Sequence, residues 1–337
     1  MLPQIQVLYN DEILAWFLER YEIDEKTVRL IGDSDSYVYE FNREDKLYIL
    51  KITHSFRRTQ EYLLGEIDWL NYLVDQGVSA ARAVASIHGN LVEVLEGESG
   101  YFLSSIYEKA PGSATKETDW NDQLFEEWGR ALGKLHAVSK KYILNNEAWR
   151  LNDWHEEEYL NVNKYIPPNE SEVIQKSNAL ITKLQNIPKT QDNYGLIHAD
   201  LQSHNFNLAD KQIVMFDFDE VSYNYYVHDV AVVLFQAYWR PLKEPVDKHA
   251  FVEGFLNSFL KGYNEENHFQ AVWFTYLADF LKIRHLTFYI CFLQVCDLNS
   301  LNEAETAESE LAKRVITAEW PIVDFDFVEY CERRLAQ

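Results

Sequence analysis

Residues 196–219, LIHADLQSHNFNLADKQIVMFDFD, constrain this chain more than any other stretch. A short apolar entry, Leu196-Ile197, runs into His198-Ala199-Asp200, and Asn205 follows after four intervening residues. A second apolar run, Gln212–Phe216, reads as a strand and ends in Asp217-Phe218-Asp219. The carboxylates therefore fall on a loop and at a strand end. Three carboxylates and one amide at this spacing can hold Mg²⁺-ATP and take a proton from an alcohol, which is the equipment of phosphoryl transfer. In that reading Asp200 accepts the proton of the attacking hydroxyl. Asn205 offers its amide oxygen to Mg²⁺, a hard cation that prefers oxygen. Asp217 bridges the metal to the β- and γ-phosphates. Asp219 either touches a second metal ion or bonds its own loop. His198 suits a structural role, orienting the loop backbone. The competing explanation is a chance set of turn residues, because Asp and Asn are common in turns.

Composition narrows the partners. Formal charge is −23 over 337 residues, which repels phosphate backbones and anionic membranes and speaks against nucleic acid as a partner. Hydrophobic residues make up 47% of the chain, enough for a substantial core. Cys291, Cys296 and Cys331 suit neither a disulfide framework nor a zinc site, and a reducing cytoplasm fits them. The start, MLPQIQVLYNDEIL, has no basic region followed by an apolar stretch, so a signal peptide is not expected. The most apolar long segment, 269–296, carries Asp279, Lys282, Arg284 and His285, which argues for a buried helix rather than a membrane span.

Periodicity divides the chain into a β-rich front and a helix-rich back. Asn10-Asp11 can cap a first helix. Residues 27–52 read as three strands separated by turns at 33–36 and 42–45, followed by a helix at 58–75 and strands near 82–95 and 100–107. From 112 onward helical periodicity dominates, at 121–141, 169–186, 227–239, 247–263, 268–296, 303–318 and 324–335, interrupted by the 196–219 hairpin. The expected organisation is α+β: residues 1–105 as one lobe, residues 106–337 as a helical second lobe, and a hinge near 106–112. Oligomeric state is not legible.

With these residues in view, the chain resembles the aminoglycoside phosphotransferase and choline kinase superfamily, which shares the two-lobed protein-kinase fold. The family pattern His-Gly-Asp-x₄-Asn is matched at 198–205, with Ala199 in place of the usual Gly, and the Asp-Phe-Asp type of motif at 217–219. Trp128–His136, Tyr107–Gly112 and His228-Asp229-Val230-Ala231 are similar to the family's Leu-His helix, its hinge and its aspartate-containing helix start. The resemblance implies that the front lobe binds ATP. Lys51 then resembles the strand lysine that contacts the α- and β-phosphates, with Glu66 as its helical partner and Glu61 as the other possibility. Gly32-Asp33-Ser34-Asp35-Ser36 would be the phosphate-covering turn, with Ser34 and Ser36 toward nucleotide, although a plain hairpin turn explains the same residues.

On the acceptor side, Tyr223, Tyr225, Tyr226, Trp239, Trp273, Tyr276 and Asp279 could line an aromatic, acidic pocket suited to an amine-bearing alcohol, or could fill the helical core. The activity implied is transfer of a phosphoryl group to the hydroxyl of a small molecule such as an aminoglycoside, choline or homoserine. A Ser/Thr protein kinase of the same fold is the alternative, disfavoured by the short gap between Asp219 and Asp229. A non-catalytic binding module would be expected to lack Asp200, Asn205 or Asp217. IVMFDFDEV also fits the start of a haloacid-dehalogenase-like phosphatase, but no βα repeat surrounds it.

Overall fold

The computed structural model describes residues 2–240, 247–298, 300–318, 323 and 325–336. The chain forms two compact units. One comprises Met1–Ala114, Lys141–Leu151 and Phe206–Asp219; the other comprises Thr115–Lys140, Asn152–Asn205 and Glu220–Gln337. The hairpin that ends in Asp217 and Asp219 thus belongs with the N-terminal residues, whereas Asp200 and Asn205 belong to the other unit.

The first unit opens with helices α1 (Pro3–Leu8) and α2 (Asp11–Arg20). Asn10 caps α2, its side-chain oxygen accepting from the N–H groups of Glu12 and Ile13 at 3.0 and 3.1 Å. Strands β1 (Arg29–Gly32), β2 (Tyr37–Arg43) and β3 (Lys46–His54) form a meander, and helix α3 (Gln60–Asp75) follows. β4 (Ala83–Val84), β5 (Glu93–Gly97) and β6 (Gly100–Glu108) complete an antiparallel sheet in the order β1-β2-β3-β6-β4, with β5 also on β6. The single strand expected at 82–95 is broken because Ser86 donates its hydroxyl to Glu93 at 2.5 Å, and a turn forms over Gly89, whose φ is +81°. The pleat then sorts side chains by parity. Leu50 and Ile52 join Phe17, Tyr21, Phe41, Phe102 and Ile106 in a core against α2. Ile49 and Lys51 take the other face.

The second unit is mostly helical: α4 (Asp122–Ser139), α5 (Val162–Tyr165), α6 (Ser171–Gln185) and strand β7 (Tyr194–Ile197). The chain then supplies the hairpin of β8 (Phe206–Ala209) and β9 (Gln212–Met215) to the first unit. Its two-residue turn, Asp210-Lys211, has φ of +50° and +68°, the primed geometry that matches strand twist. β10 (Ser222–Tyr225) returns to pair antiparallel with β7, Ser222 opposite Ile197. Helices α7 (Tyr226–Trp239), α8 (Lys248–Glu266), α9 (Phe274–Val295), α10 (Glu303–Thr317) and α11 (Phe327–Leu335) follow. α4 and α8 approach closely because glycines line their contact: a Cβ on Gly129 would lie 1.9 Å from the Phe259 carbonyl oxygen, and one on Gly262 would lie 1.8 Å from that of Glu126. Tyr225, Tyr226 and Trp273 are core residues here, and Asp279 pairs with Lys183 at 2.7 Å, so these members of the sequence-derived aromatic set serve packing. Among the described residues no helix is long and apolar enough to cross a membrane.

Candidate active site

The second unit builds the Asp200 loop on β7. Beyond Ile197 the backbone turns at Ala199, whose φ of +62° lies in the left-handed region that favours glycine. Asp229, near the start of α7 and fully buried, holds this turn. Its Oδ1 accepts from Ala199 N–H at 2.7 Å, and its Oδ2 accepts from His198 N–H at 3.0 Å. His136 Nε2 lies 3.1 Å from the same Oδ2, and its Nδ1 is 2.9 Å from the Tyr263 hydroxyl. Burial alone would raise the Asp229 pKa, yet the His136 hydrogen bond together with the charge interactions of His136, His198 and His228 outweighs it and the net direction is down. The loop therefore rests on a buried carboxylate that three donors satisfy.

Asp200 sits at the rim of this loop with its side chain about one-fifth exposed. Its Oδ1 accepts from Gln202 Nε2 and from Arg284 Nη2, each at 2.6 Å. Its Oδ2 accepts from Asn205 Nδ2 at 2.9 Å, and the same amide nitrogen is 2.8 Å from the Asp200 carbonyl oxygen. Both bonds use the nitrogen end of Asn205, which leaves its Oδ1 for another partner.

The first unit carries a cavity of about 320 Å³. Its walls are largely apolar, with Ile31, Val38, Ile49, Leu70, Ala81 and Phe216 among them, and Lys51, Glu66, Asp217, Glu108 and Lys109 are its charged members. The sheet register explains the floor: Lys51 lies opposite Val38 on β2 and opposite Ser105 on β6. The Lys51 ammonium donates to Asp217 at 2.8 Å and to Asp219. Burial alone would lower its pKa, but the two carboxylates prevail and hold it up. Asp219 is buried and depressed against the cost of burial by Lys51 and Arg57, the latter at 2.8 Å from Oδ2. Arg58 donates to the Asp219 carbonyl at 3.0 Å. Asp217, with φ +62° and its side chain 45% exposed, is the more accessible acid of the two.

Glu66 faces the cavity from α3 and is buried, whereas Glu61 is exposed. The Glu66 Oε1 accepts from the Tyr107 hydroxyl at 3.2 Å, and its Oε2 is buried without a partner among the described residues. Burial, reinforced by the Asp219 charge and opposed by Lys51, pushes its pKa up to about 8. Lys51 is thus bonded to the two aspartates, with Glu66 in the same cavity. In the β1–β2 turn Ser34 is exposed, and the Ser36 hydroxyl is buried without a partner among the described residues.

The donor types within each unit suit a nucleotide with a divalent metal ion. Protein ligands to Mg²⁺ are few, one or two carboxylates with phosphates and water completing the shell. Taken unit by unit, Asn205 Oδ1 in the second and the accessible Asp217 in the first are each an oxygen donor of that kind, while both carboxylate oxygens of Asp219 are engaged by Lys51 and Arg57. The Ser36 hydroxyl is a hydrogen-bond donor without a partner among the described residues, and Ser36 is not one of the residues lining the cavity. Two contributors escaped the sequence reading: Arg284, which looked like one charge in an apolar helix, and Asp229 as the support of the loop, a role that only the family likeness at 228–231 hinted at.

Comparison with known proteins agrees with this chemistry. The profile of the phosphotransferase enzyme family matches residues 27–269. An amicoumacin kinase of Bacillus subtilis (strain 168) is 41% identical over 96% of both chains. The structure of amicoumacin kinase hAmiN in complex with AMP-PNP, Ca²⁺ and Ami superposes with a TM-score of 0.95, at 36% identity, over 98% of this chain and 99% of that one. A microcompartment-associated aminopropanol kinase shares the fold at 19% identity, with a TM-score of 0.71 over 91% of this chain and 98% of its own. The chain belongs to the phosphotransferase enzyme family and is a small-molecule kinase that acts on a hydroxyl group.

Proposed function

We propose that the chain transfers the γ-phosphoryl group of ATP, as its Mg²⁺ complex, to a hydroxyl of an amicoumacin-like, amine-bearing small molecule. The identity of 41% to an amicoumacin kinase over nearly the whole chain supports the acceptor, and the nucleotide and divalent ion in the hAmiN complex support the donor. The observation that carries the chemistry is Asp200. Its Oδ1 is occupied by two donors and its Oδ2 by one, so Oδ2 retains a lone pair for an acceptor O–H.

Each residue then has a task. Asp200 takes the proton as the acceptor oxygen bonds to phosphorus and ADP departs. Asn205 Oδ1 and Asp217 would hold Mg²⁺, which when bound neutralises phosphate charge. Asp219 either adds to that shell or keeps Lys51 and Arg57 in place, and its present bonds favour the second task. Lys51 binds the α- and β-phosphates, with Glu66 beside it. Ser36, and Ser34 on the same turn, would cover the phosphates, and the adenine would enter the apolar cavity that Ala110 lines. A cytoplasmic location follows from the need for ATP.

The test is an ADP-release assay across amicoumacin, simple amino alcohols and aminoglycosides, with Asp200→Ala as the blank. Turnover on amicoumacin well above the other acceptors, and none in the blank, is expected. Equal rates in wild type and Asp200→Ala on a confirmed acceptor would remove Asp200 from the chemistry.

A further inference from the structure

The environment of the proposed base contains a residue whose placement is costly unless it does something there. Helix α9 is largely apolar, and its other charged side chains bond structural groups: Asp279 pairs with Lys183, and Lys282 Nζ donates to the Ala318 carbonyl at 2.7 Å. Arg284 differs. Its guanidinium, with the side chain 17% exposed, makes a 2.6 Å bond to Asp200 Oδ1 across 84 positions of sequence. Among the described residues it has no other acceptor, and it lies in the middle of α9, away from either helix end. The imidazole of His228, nearby in charge terms, is held neutral at physiological pH because burial depresses it to about 4. His204 Nε2 is 4.0 Å from Asp200 Oδ2 on a largely exposed side chain. Arg284 is therefore the permanent positive charge at the base.

We propose that Arg284 is a positioning residue for phosphoryl transfer, fixing the Asp200 carboxylate so that Oδ2 alone meets the acceptor hydroxyl. This rests on the reading of Asp200 as the base. A carboxylate can rotate about its Cβ–Cγ bond and present either oxygen. Two donors on Oδ1, one of them a guanidinium in charge-assisted contact, remove that freedom, and Asn205 fixes the plane from the Oδ2 side. Proton flow stays simple: the acceptor O–H breaks toward Oδ2, the new O–P bond forms, and the phosphoryl group leaves ADP. Arg284 donates its hydrogen bond throughout and exchanges no proton.

The experiment measures kcat, the KM for acceptor and the Kd for Mg²⁺-ATP in Arg284→Met, Arg284→Lys and Arg284→Ala, with Asp200→Asn alongside. Misplacing a catalytic group costs on the order of 100-fold in rate, so Arg284→Met should lose about that much kcat while the Kd for nucleotide stays near wild type. Arg284→Lys keeps the charge but not the fork, and should recover part of the loss. Added guanidinium, at concentrations that leave the fold intact, should raise kcat of Arg284→Ala, and ammonium should not. A wild-type kcat in Arg284→Met, or a loss that follows the thermal unfolding temperature across the three variants and is untouched by guanidinium, would overturn the proposal. If Asp200→Asn is inactive while Arg284→Met is fully active, only the Arg284 inference fails. If Asp200→Asn turns over normally, the base assignment itself fails.

Discussion

Replacing Asp229 with Asn tests whether one buried carboxylate really supports the Asp200 loop. The change keeps shape and volume, so no cavity forms. In the parent both oxygens face donors: Ala199 N–H on Oδ1, His198 N–H and His136 Nε2 on Oδ2. An amide has only one acceptor. Its best orientation keeps the oxygen toward His198 and His136 and turns the NH₂ onto Ala199, leaving that buried N–H unpaired at a cost of about 1–3 kcal/mol. The two surviving bonds lose charge assistance, about 1 kcal/mol each. Relief from burying a charge does not offset this, because the Asp229 pKa is lowered in the fold, so its donors more than repay burial at neutral pH. The net is roughly 3–5 kcal/mol, or on the order of 10 °C in the unfolding temperature of a unit this size. Ala199, in the left-handed region, would relax once its N–H is released. The backbone that aims Asp200 would move with it, and kcat should fall about 100-fold. Differential scanning calorimetry and steady-state kinetics read both quantities. An unfolding temperature within a degree or so of the parent, with kcat unchanged, would refute the idea that Asp229 organises this loop.

Three further outcomes follow from the same physics. Glu66 is raised from 4.5 to about 8, so the fold holds a proton that the unfolded chain has released. Its stabilising contribution is complete below 4.5 and lost as pH rises through 8, and Glu66→Gln, measured in EDTA without nucleotide, should gain stability relative to wild type across that window; parallel pH curves would contradict this. On α8, Gly262→Ala must push against the Glu126 carbonyl and should cost about 3 kcal/mol or more, whereas Gly254→Ala, with open space at its Cβ, should be neutral or stabilising by up to about 1 kcal/mol in urea unfolding. Ala199→Gly exchanges left-handed strain against chain entropy, so chemical denaturation should place it within about 1 kcal/mol of wild type, with a larger loss showing that the methyl group itself packs.

Much of this molecule could be read before its coordinates. The meander of β1–β3, the α3 helix and the long helices of the second unit follow from period-2 and period-3.6 patterns that burial then satisfies. The 198–205 loop was legible because Asp and Asn were spaced for chemistry and flanked by strands. What stayed hidden depended on long-range pairing. Nothing local in Lys51 says that its ammonium bonds Asp217 and Asp219 while Glu66 waits in the same cavity. Arg284 carries no signal of its 84-residue reach to Asp200, since an apolar helix containing a few charges looks the same whatever those charges meet. Short elements such as α1 and α5 fall below the length at which periodicity speaks. The grouping of residues 206–219 with the N-terminal unit is a property of packing, which chain order does not express.

The central claim is a division of labour in which Asp200 handles the proton and Asp217 handles the metal-bound nucleotide. Calorimetric titration of ATP into wild type, Asp200→Asn and Asp217→Asn, with and without Mg²⁺, tests it directly. The account predicts that Asp200→Asn binds Mg²⁺-ATP like wild type yet does not turn over, and that Asp217→Asn loses the Mg²⁺-dependent part of binding. Normal turnover in Asp200→Asn, or unchanged Mg²⁺-dependent binding in Asp217→Asn, would contradict it.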